Sequence, residues 1–141
     1  MNIFLDTSSL LKLYHNEKGT KELIELISGN FEKIYLSEIA KIEFSSAIWK
    51  KVRSKEFKKE GAKQVIAFFE KDFGNYQWIS VQTVIINSAK ELIKQYGNNS
   101  LRTLDAIQLA CAISVKNKVD LFKTADKVLN KILNLENLKT E

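Results

Sequence analysis

Four acidic residues stand where a folded chain could bring their carboxylates together. Asp6 directly follows the apolar run at positions 3–5, and Asp126 comes three residues after a second short apolar stretch. Glu43 and Asp105 lie in longer segments whose apolar residues have helical spacing. With no histidine or cysteine nearby, these acids offer only hard oxygen ligands, which favours Mg²⁺ or Mn²⁺ over zinc.

Clustering of these acids would have an electrostatic consequence. Two carboxylates about 4 Å apart repel by roughly 4 kcal/mol at an effective dielectric of about 20, so four can share a pocket only if some are protonated or a cation is present. A bound Mg²⁺ would polarise a phosphate and lower the pKa of a water molecule that attacks phosphorus. The net charge of +5 and the pI near 9.2 favour an anionic partner such as nucleic acid. The pattern therefore indicates phosphoryl chemistry.

The elements that position these acids alternate along the chain. Short apolar runs predict strands at 3–5, 34–36, 78–81 and 119–123. Helical spacing predicts helices from residue 10, at 20–27, from Ser37 as a cap to about 55, and at about 58–73, 84–96, 106–115 (capped by Thr103) and 127–133. Alternating strands and helices indicate an α/β domain with a short, mainly parallel sheet of about four or five strands, flanked by helices. In such a sheet ligands bind beyond the carboxyl ends of the strands.

This arrangement predicts where the acids lie. Asp6 and Asp126 follow strands and belong at the carboxyl edge of the sheet. Asp105 lies in the first turn of a helix that must be buried, because residues 106–115 carry only Gln108 and Ser114 as polar side chains. Glu43 is expected in mid-helix, opposite the face marked by residues 38, 41 and 45. A carboxylate on an inward face is costly unless it is paired or bound to a cation.

Each acid also has an ordinary structural interpretation. Asp6 and Asp126 could cap helices, and Asp105 could be a favourable charge at a helix N-terminus. Glu43 could pair with a basic side chain such as Arg102. Taken together, these interpretations need four coincidences at one edge of one sheet.

Length and composition predict one soluble domain over residues 1–141, with 45% apolar and 28% charged residues. The sequence has no apolar run long enough for a transmembrane helix, and its N-terminus lacks the basic start of a signal peptide. A single cysteine, Cys111, suits a reducing cytoplasm. We expect Cys111 to serve packing and His15 to be an ordinary surface residue.

Four segments in order resemble the motifs of PIN domains of the VapC-like class. They are FLDTS at 4–8, LSEIAKIE at 36–43, LRTLDAIQLA at 101–110 and FKTADK at 122–127. The third is the most specific, and together the segments cover essentially the whole chain. The resemblance implies a PIN-like three-layer sandwich and an endoribonuclease that uses Mg²⁺ or Mn²⁺ and leaves a 5′-phosphate and a 3′-hydroxyl.

The resemblance also implies roles for residues and partners. Asp6, Glu43 and Asp105 would be the core metal ligands, and Asp126 would complete the quartet. Ser8 and Thr124 would orient ligands or water by hydrogen bonds. Members of this family commonly dimerise and are held inactive by a protein antitoxin. The resemblance therefore implies the toxin of a toxin–antitoxin pair, which would act on RNA in the cytoplasm and would not bind a membrane.

Other functions stay open with different expectations. A housekeeping RNA-processing nuclease has the same catalytic residues, and a non-catalytic RNA-binding domain of the same fold would be expected to lose acids. Two other enzyme classes are disfavoured. A haloacid-dehalogenase-like phosphatase needs Asp-x-Asp where this chain has Asp6-Thr7-Ser8, and a phosphotransfer receiver needs an acid at the end of a middle strand, where the predicted strands 34–36 and 78–81 have none. RNA could also contact Trp49, Trp78 and a basic run, although packing or solvation is the commoner role; the run comprises Lys50, Lys51, Arg53, Lys55, Lys58 and Lys59.

Overall fold

A computed structural model describes all residues from 1 to 141 and shows an α/β fold. In chain order its elements are β1 (Asn2–Leu5), α1 (Thr7–Lys12), α2 (Thr20–Ile27), β2 (Lys33–Ser37), α3 (Ala40–Arg53), α4 (Lys59–Lys71), β3 (Gln77–Ile79), α5 (Thr83–Tyr96), α6 (Thr103–Ser114), β4 (Leu121–Lys123) and α7 (Lys127–Leu135). Single turns of 3₁₀ helix cover Phe73–Asn75 and Gly97–Asn99. No helix combines the length and hydropathy needed to cross a membrane.

The four strands form one parallel sheet in the order β3-β2-β1-β4. Ile3 of β1 lies opposite Ile34 of β2 and Leu121 of β4. The chain thus runs outward from β1 through β2 to β3 and then returns to the other side of β1. Parallel sheets bind ligands where the strand order reverses, and here this point is the carboxyl end of β1 beside β4.

Alternation along the strands separates two cores. Phe4 and Phe122 point to one face of the sheet, where α5, α6 and α7 cover them. Ile3, Leu5 and Leu121 point to the other face and pack against α1, α2, α3 and α4. Because successive strand residues face opposite sides, short apolar runs can serve both cores at once. The result is a helix–sheet–helix sandwich, which confirms the predicted fold class, with four strands.

Several predicted boundaries are wrong by a few residues. Thr103 is the first residue of α6 rather than its cap, and Arg102 holds the N-cap position. Ser37 ends β2, and α3 begins only at Ala40, so Glu43 lies in the first turn of α3 and not in mid-helix. The third and fourth strands are shorter than predicted, as is usual where apolar residues at strand ends pack against the core without joining the ladder.

An aromatic cluster on the α3–α4 side gives a direct test of the fold. Phe69 is 1% exposed and contacts the rings of Phe44 and Phe73, whereas its neighbour Phe68 is 62% exposed. We expect Phe69→Ala to lower the free energy of unfolding by about 3–5 kcal/mol, because it removes buried surface and leaves a cavity. The matched Phe68→Ala should change it by less than about 0.5 kcal/mol. Urea denaturation followed by circular dichroism measures both, and equal losses would contradict the described burial.

Candidate active site

Asp6 lies at the carboxyl end of β1 and is only 5% exposed. Its Oδ1 accepts a hydrogen bond from the Ser9 backbone N–H at 3.0 Å, so Asp6 caps α1. The Ser8 hydroxyl lies 2.8 and 2.9 Å from the two carboxylate oxygens, and the Thr124 hydroxyl donates to Oδ2. Ser8, at the start of α1, and Thr124, in the loop after β4, thus both hold Asp6, and their hydroxyl oxygens lie 3.4 Å apart.

The same two hydroxyls connect Asp6 to the loop that carries Asp126. Ser8 Oγ accepts from the Ala125 backbone N–H at 2.9 Å, and Thr124 Oγ1 accepts from the Asp126 backbone N–H at 3.0 Å. The loop after β4 is therefore positioned by its contacts with the end of β1. This arrangement suits the hydrogen-bonding role expected for Ser8 and Thr124.

Glu43 projects from the first turn of α3 and is half-buried. Its Oε1 accepts hydrogen bonds from Thr7 Oγ1 at 2.8 Å and from Gln108 Nε2 at 2.8 Å. No basic side chain forms a salt bridge with Glu43, so the expected alternative of a pair with Arg102 is not what the structure shows. Oε2 of Glu43 has no hydrogen-bond donor from the protein.

Asp105 and Asp126 open onto a shared cleft. Both line a cavity of about 520 Å³, together with Arg102. Asp105 and Arg102 also line a second cavity, of about 360 Å³, whose wall includes Glu43. Asp126 caps α7 through its Oδ1, which accepts from the Leu129 N–H at 2.9 Å, and its other oxygen has no protein partner. Asp105 is thus the link between the Asp126 side and the Glu43 side of the site.

Two of the four acids have raised pKa values. Burial raises the pKa of Asp6 from 3.8 to about 6, since hydrogen bonds from Thr124, Ser9 and Ser8 offset only part of the desolvation and the charge of Glu43 adds to it. Burial also raises the pKa of Asp105, with further contributions from the charges of Asp126 and Glu43 that Arg102 partly opposes. Electrostatic interactions between neighbours therefore link the four carboxylates, from Asp6 through Glu43 and Asp105 to Asp126.

The donor set fits a hard divalent cation by its chemistry. It contains only carboxylates, whose mutual repulsion a cation would relieve. Three of the carboxylates, Glu43, Asp105 and Asp126, keep at least one oxygen without a protein hydrogen-bond partner, whereas both oxygens of Asp6 accept hydrogen bonds. However, no three Asp, Glu, His or Cys side chains converge closely enough in this structure to hold a metal ion together. The structure thus brings the four predicted acids to one region without forming a closed metal cage.

Thr7 and Gln108 belong to this site, although sequence reasoning assigned neither of them a role. Gln108 is 3% exposed and Thr7 7% exposed, and both contact Glu43. The signal for Gln108 was present, because it is one of only two polar residues in the apolar stretch of α6. Thr7 gave no comparable signal, since a threonine at the start of a helix is common.

The remaining candidate residues lie elsewhere. His15 packs edge-on against Phe57, and Cys111 is buried with its Sγ 3.3 Å from Ser37 Oγ, in agreement with the packing role expected for it. Trp78 packs in the aromatic cluster and donates its Nε1–H to the Phe73 carbonyl. The basic run at the junction of α3 and α4 is mostly exposed, apart from Lys51, which forms ion pairs with Glu17 and Glu56.

Several solved structures of VapC and VapBC proteins have a similar fold. VapC20 of Mycobacterium tuberculosis, described as a toxin that cleaves the sarcin-ricin loop, superposes with a TM-score of 0.71 at 14% identity, over 92% of this chain and 94% of that one. VapBC2 from Rickettsia felis, bound to a DNA fragment from its promoter, gives 0.66 at 19% identity, over 100% and 98% of the two chains. VapBC-1 from nontypeable Haemophilus influenzae gives 0.64 at 14% identity, over 100% and 97%. At these identities the likeness establishes the fold.

Comparison with sequence families is more specific. A search of curated protein sequences finds no match. The family model described as the PIN domain matches residues 3–133, which include all four acids and nearly the whole sheet. The chain therefore belongs to the PIN domain family.

Proposed function

We propose that this protein is a metal-dependent endoribonuclease and the toxin of a type II toxin–antitoxin pair. The observation that carries the proposal is the chain of four interacting carboxylates at the carboxyl edge of a PIN-domain sheet. The similar structure of VapC20, a toxin that cleaves the sarcin-ricin loop, supports the role of a toxin nuclease for this chain. The net charge of +5 favours a polyanionic substrate.

The residues have distinct roles in this proposal. Asp6, Glu43, Asp105 and Asp126 would hold Mg²⁺ or Mn²⁺, and the ion would supply Lewis acidity for phosphodiester hydrolysis. Ser8 and Thr124 keep the Asp6 carboxylate in one orientation. Arg102 lines both cavities that contain the acids and forms no salt bridge with any of them, which leaves its guanidinium available for a substrate phosphate.

The proposed partners are RNA, a protein antitoxin and a second copy of the chain. Two of the similar structures are described as VapBC proteins, which supports an antitoxin partner here. A housekeeping RNA-processing nuclease is the second candidate, because it would use the same acids. A non-catalytic RNA-binding domain is the third, and metal-dependent turnover separates it from both enzymes.

Cleavage of RNA is the first test. We expect purified protein to cut total cellular RNA into discrete fragments with Mg²⁺ or Mn²⁺, and EDTA to abolish cutting. Asp6→Asn should lower the rate at least about 100-fold, because it removes a charged metal ligand. The matched control is Asp120→Asn, since Asp120 is exposed and an amide oxygen can still accept from the Asn2 N–H. Intact RNA under every metal condition, from folded protein free of antitoxin, would favour the binding role instead.

Expression in bacterial cells distinguishes a toxin from a housekeeping nuclease. We expect induced expression of the wild-type chain to arrest growth, because a toxin freed from its antitoxin degrades essential RNA. Asp6→Asn at equal protein level should leave growth unaffected, and Asp120→Asn should arrest it. Normal growth with an active, soluble wild-type chain would argue for the housekeeping nuclease.

The raised pKa of Asp6 predicts how stability depends on pH in the absence of metal. The folded-state pKa of about 6 lies above the ordinary aspartate value of 3.8, so folding favours the protonated acid. Stability is therefore highest below about pH 4 with respect to this group and is lost as the pH rises to about 6. In EDTA at pH 7.5, Asp6→Asn should raise the free energy of unfolding by up to about 3 kcal/mol.

Urea denaturation at several pH values measures this effect. The gain from Asp6→Asn should be much smaller at pH 4 and shrink toward zero near pH 3, where the wild-type carboxyl is mostly protonated in both states. Mg²⁺ at pH 7.5 should reduce the difference in unfolding free energy between Asp6→Asn and the wild type, because it stabilises only the wild type. A gain that is the same at pH 4 and pH 7.5 would show that Asp6 does not titrate in the expected range.

A further inference from the structure

Gln108 is a buried amide in an otherwise apolar stretch of helix α6. It is 3% exposed and follows Asp105 by three residues, so both side chains lie on the same face of the helix. Its neighbours Ile107 and Leu109 belong to the hydrophobic core. Core packing does not explain a polar side chain at such a position, so Gln108 is expected to have another role.

The amide of Gln108 closes a three-membered hydrogen-bond network. Its Nε2 donates to Glu43 Oε1 at 2.8 Å and to Thr7 Oγ1 at 3.0 Å, and Thr7 Oγ1 in turn donates to Glu43 Oε1 at 2.8 Å. The reverse orientation of the amide would set its carbonyl oxygen against a carboxylate oxygen. One oxygen of Glu43 therefore receives two donors, while Oε2 receives none from the protein.

The other end of the amide shows that this network is not optimised for stability. Gln108 Oε1 is buried and has no hydrogen-bond partner. A buried oxygen without a partner disfavours the folded state, and an apolar side chain of similar shape would avoid that cost. The amide of Gln108 therefore acts through the hydrogen bond from its nitrogen to Glu43. Its role has to be explained by the function of Glu43 and not by stability.

We propose that Gln108 is a positioning residue that, together with Thr7, fixes Glu43 through Oε1 and leaves Oε2 as the atom available to a divalent cation. The proposal rests on the metal-dependent nuclease proposed above. It assigns Gln108 and Thr7 no contact with substrate. Both act on metal binding by restricting the orientations of the Glu43 carboxylate, in the way that outer hydrogen bonds hold metal ligands in other proteins.

Replacement of Gln108 by methionine separates positioning from folding. Gln108→Met keeps the length of the side chain and removes both the donor and the unpartnered oxygen. Titration of the purified chain with Mn²⁺, followed by the electron paramagnetic resonance of free Mn²⁺, should give a dissociation constant about 10-fold or more above that of the wild type. The midpoint of thermal unfolding in EDTA should be equal or higher. RNA cleavage should be weak at low Mn²⁺ and recover largely at saturating Mn²⁺.

Variants of Thr7 test the same oxygen of Glu43 from the other side. Thr7→Val removes the second donor at similar volume and should also weaken Mn²⁺ binding. Thr7→Ser keeps a hydroxyl and should bind Mn²⁺ as the wild type does. Because both donors serve one oxygen, the effects of Thr7→Val and Gln108→Met should not add in the double variant. Gln95→Met is the matched control, since Gln95 is exposed on α5 and lines a groove away from the acids.

The outcomes separate this proposal from the proposed function. A wild-type chain that binds no Mn²⁺ overturns both. A wild-type chain that binds Mn²⁺, with Gln108→Met binding it equally well, overturns the positioning role alone. A large loss of thermal stability in Gln108→Met with unchanged Mn²⁺ affinity assigns the residue to the fold. If Gln108→Met does not fold, Thr7→Val decides, and its unchanged Mn²⁺ affinity overturns the proposal.

Discussion

Burial of carboxylates, to which repulsion between neighbours adds, is the constraint around which this end of the molecule is organised. Asp6 and Asp105 have raised pKa values because burial and neighbouring charges both oppose ionisation. Neutral donors hold two of the four acids: the hydroxyls of Ser8 and Thr124 donate to Asp6, and the hydroxyl of Thr7 and the amide of Gln108 donate to Glu43. None of the five ion pairs in the structure involves Asp6, Glu43, Asp105 or Asp126. Neutral donors orient a carboxylate without cancelling its charge, so the charge remains available to a cation.

The three-layer architecture explains how acids distant in sequence reach one edge. Parallel strands end on the same side of a sheet, and the order β3-β2-β1-β4 places the end of β1 beside the end of β4. Helix α3 delivers Glu43 from one layer and helix α6 delivers Asp105 and Gln108 from the other. Each acid therefore comes from a different segment of the chain, and its position depends on the packing of the layer to which that segment belongs.

Two of the acids proposed to bind metal also have a structural role. Asp6 caps α1 and Asp126 caps α7, as their ordinary interpretations expected. Each cap uses only one carboxylate oxygen for the backbone N–H, which leaves Asp126 a second oxygen without a protein partner. Capping therefore leaves one oxygen of Asp126 open to the proposed metal ion, and it holds both carboxylates in place. The burial of Asp6 and the unpartnered oxygen of Gln108 both disfavour the folded state, and such costs are typical of functional sites.

The sequence by itself determined the fold class and the neighbourhood of the acids, because apolar periodicity reports which face of an element is buried and strand ends report where a parallel sheet binds ligands. It did not determine where α3 and α6 begin, since capping depends on local backbone geometry that several polar residues near 37 and 103 could satisfy. Only the tertiary structure decided that Thr7 and Gln108 meet at Glu43. Those contacts join residues 36, 65 and 101 positions apart, and periodicity within one helix carries no information about the partner that packs against it.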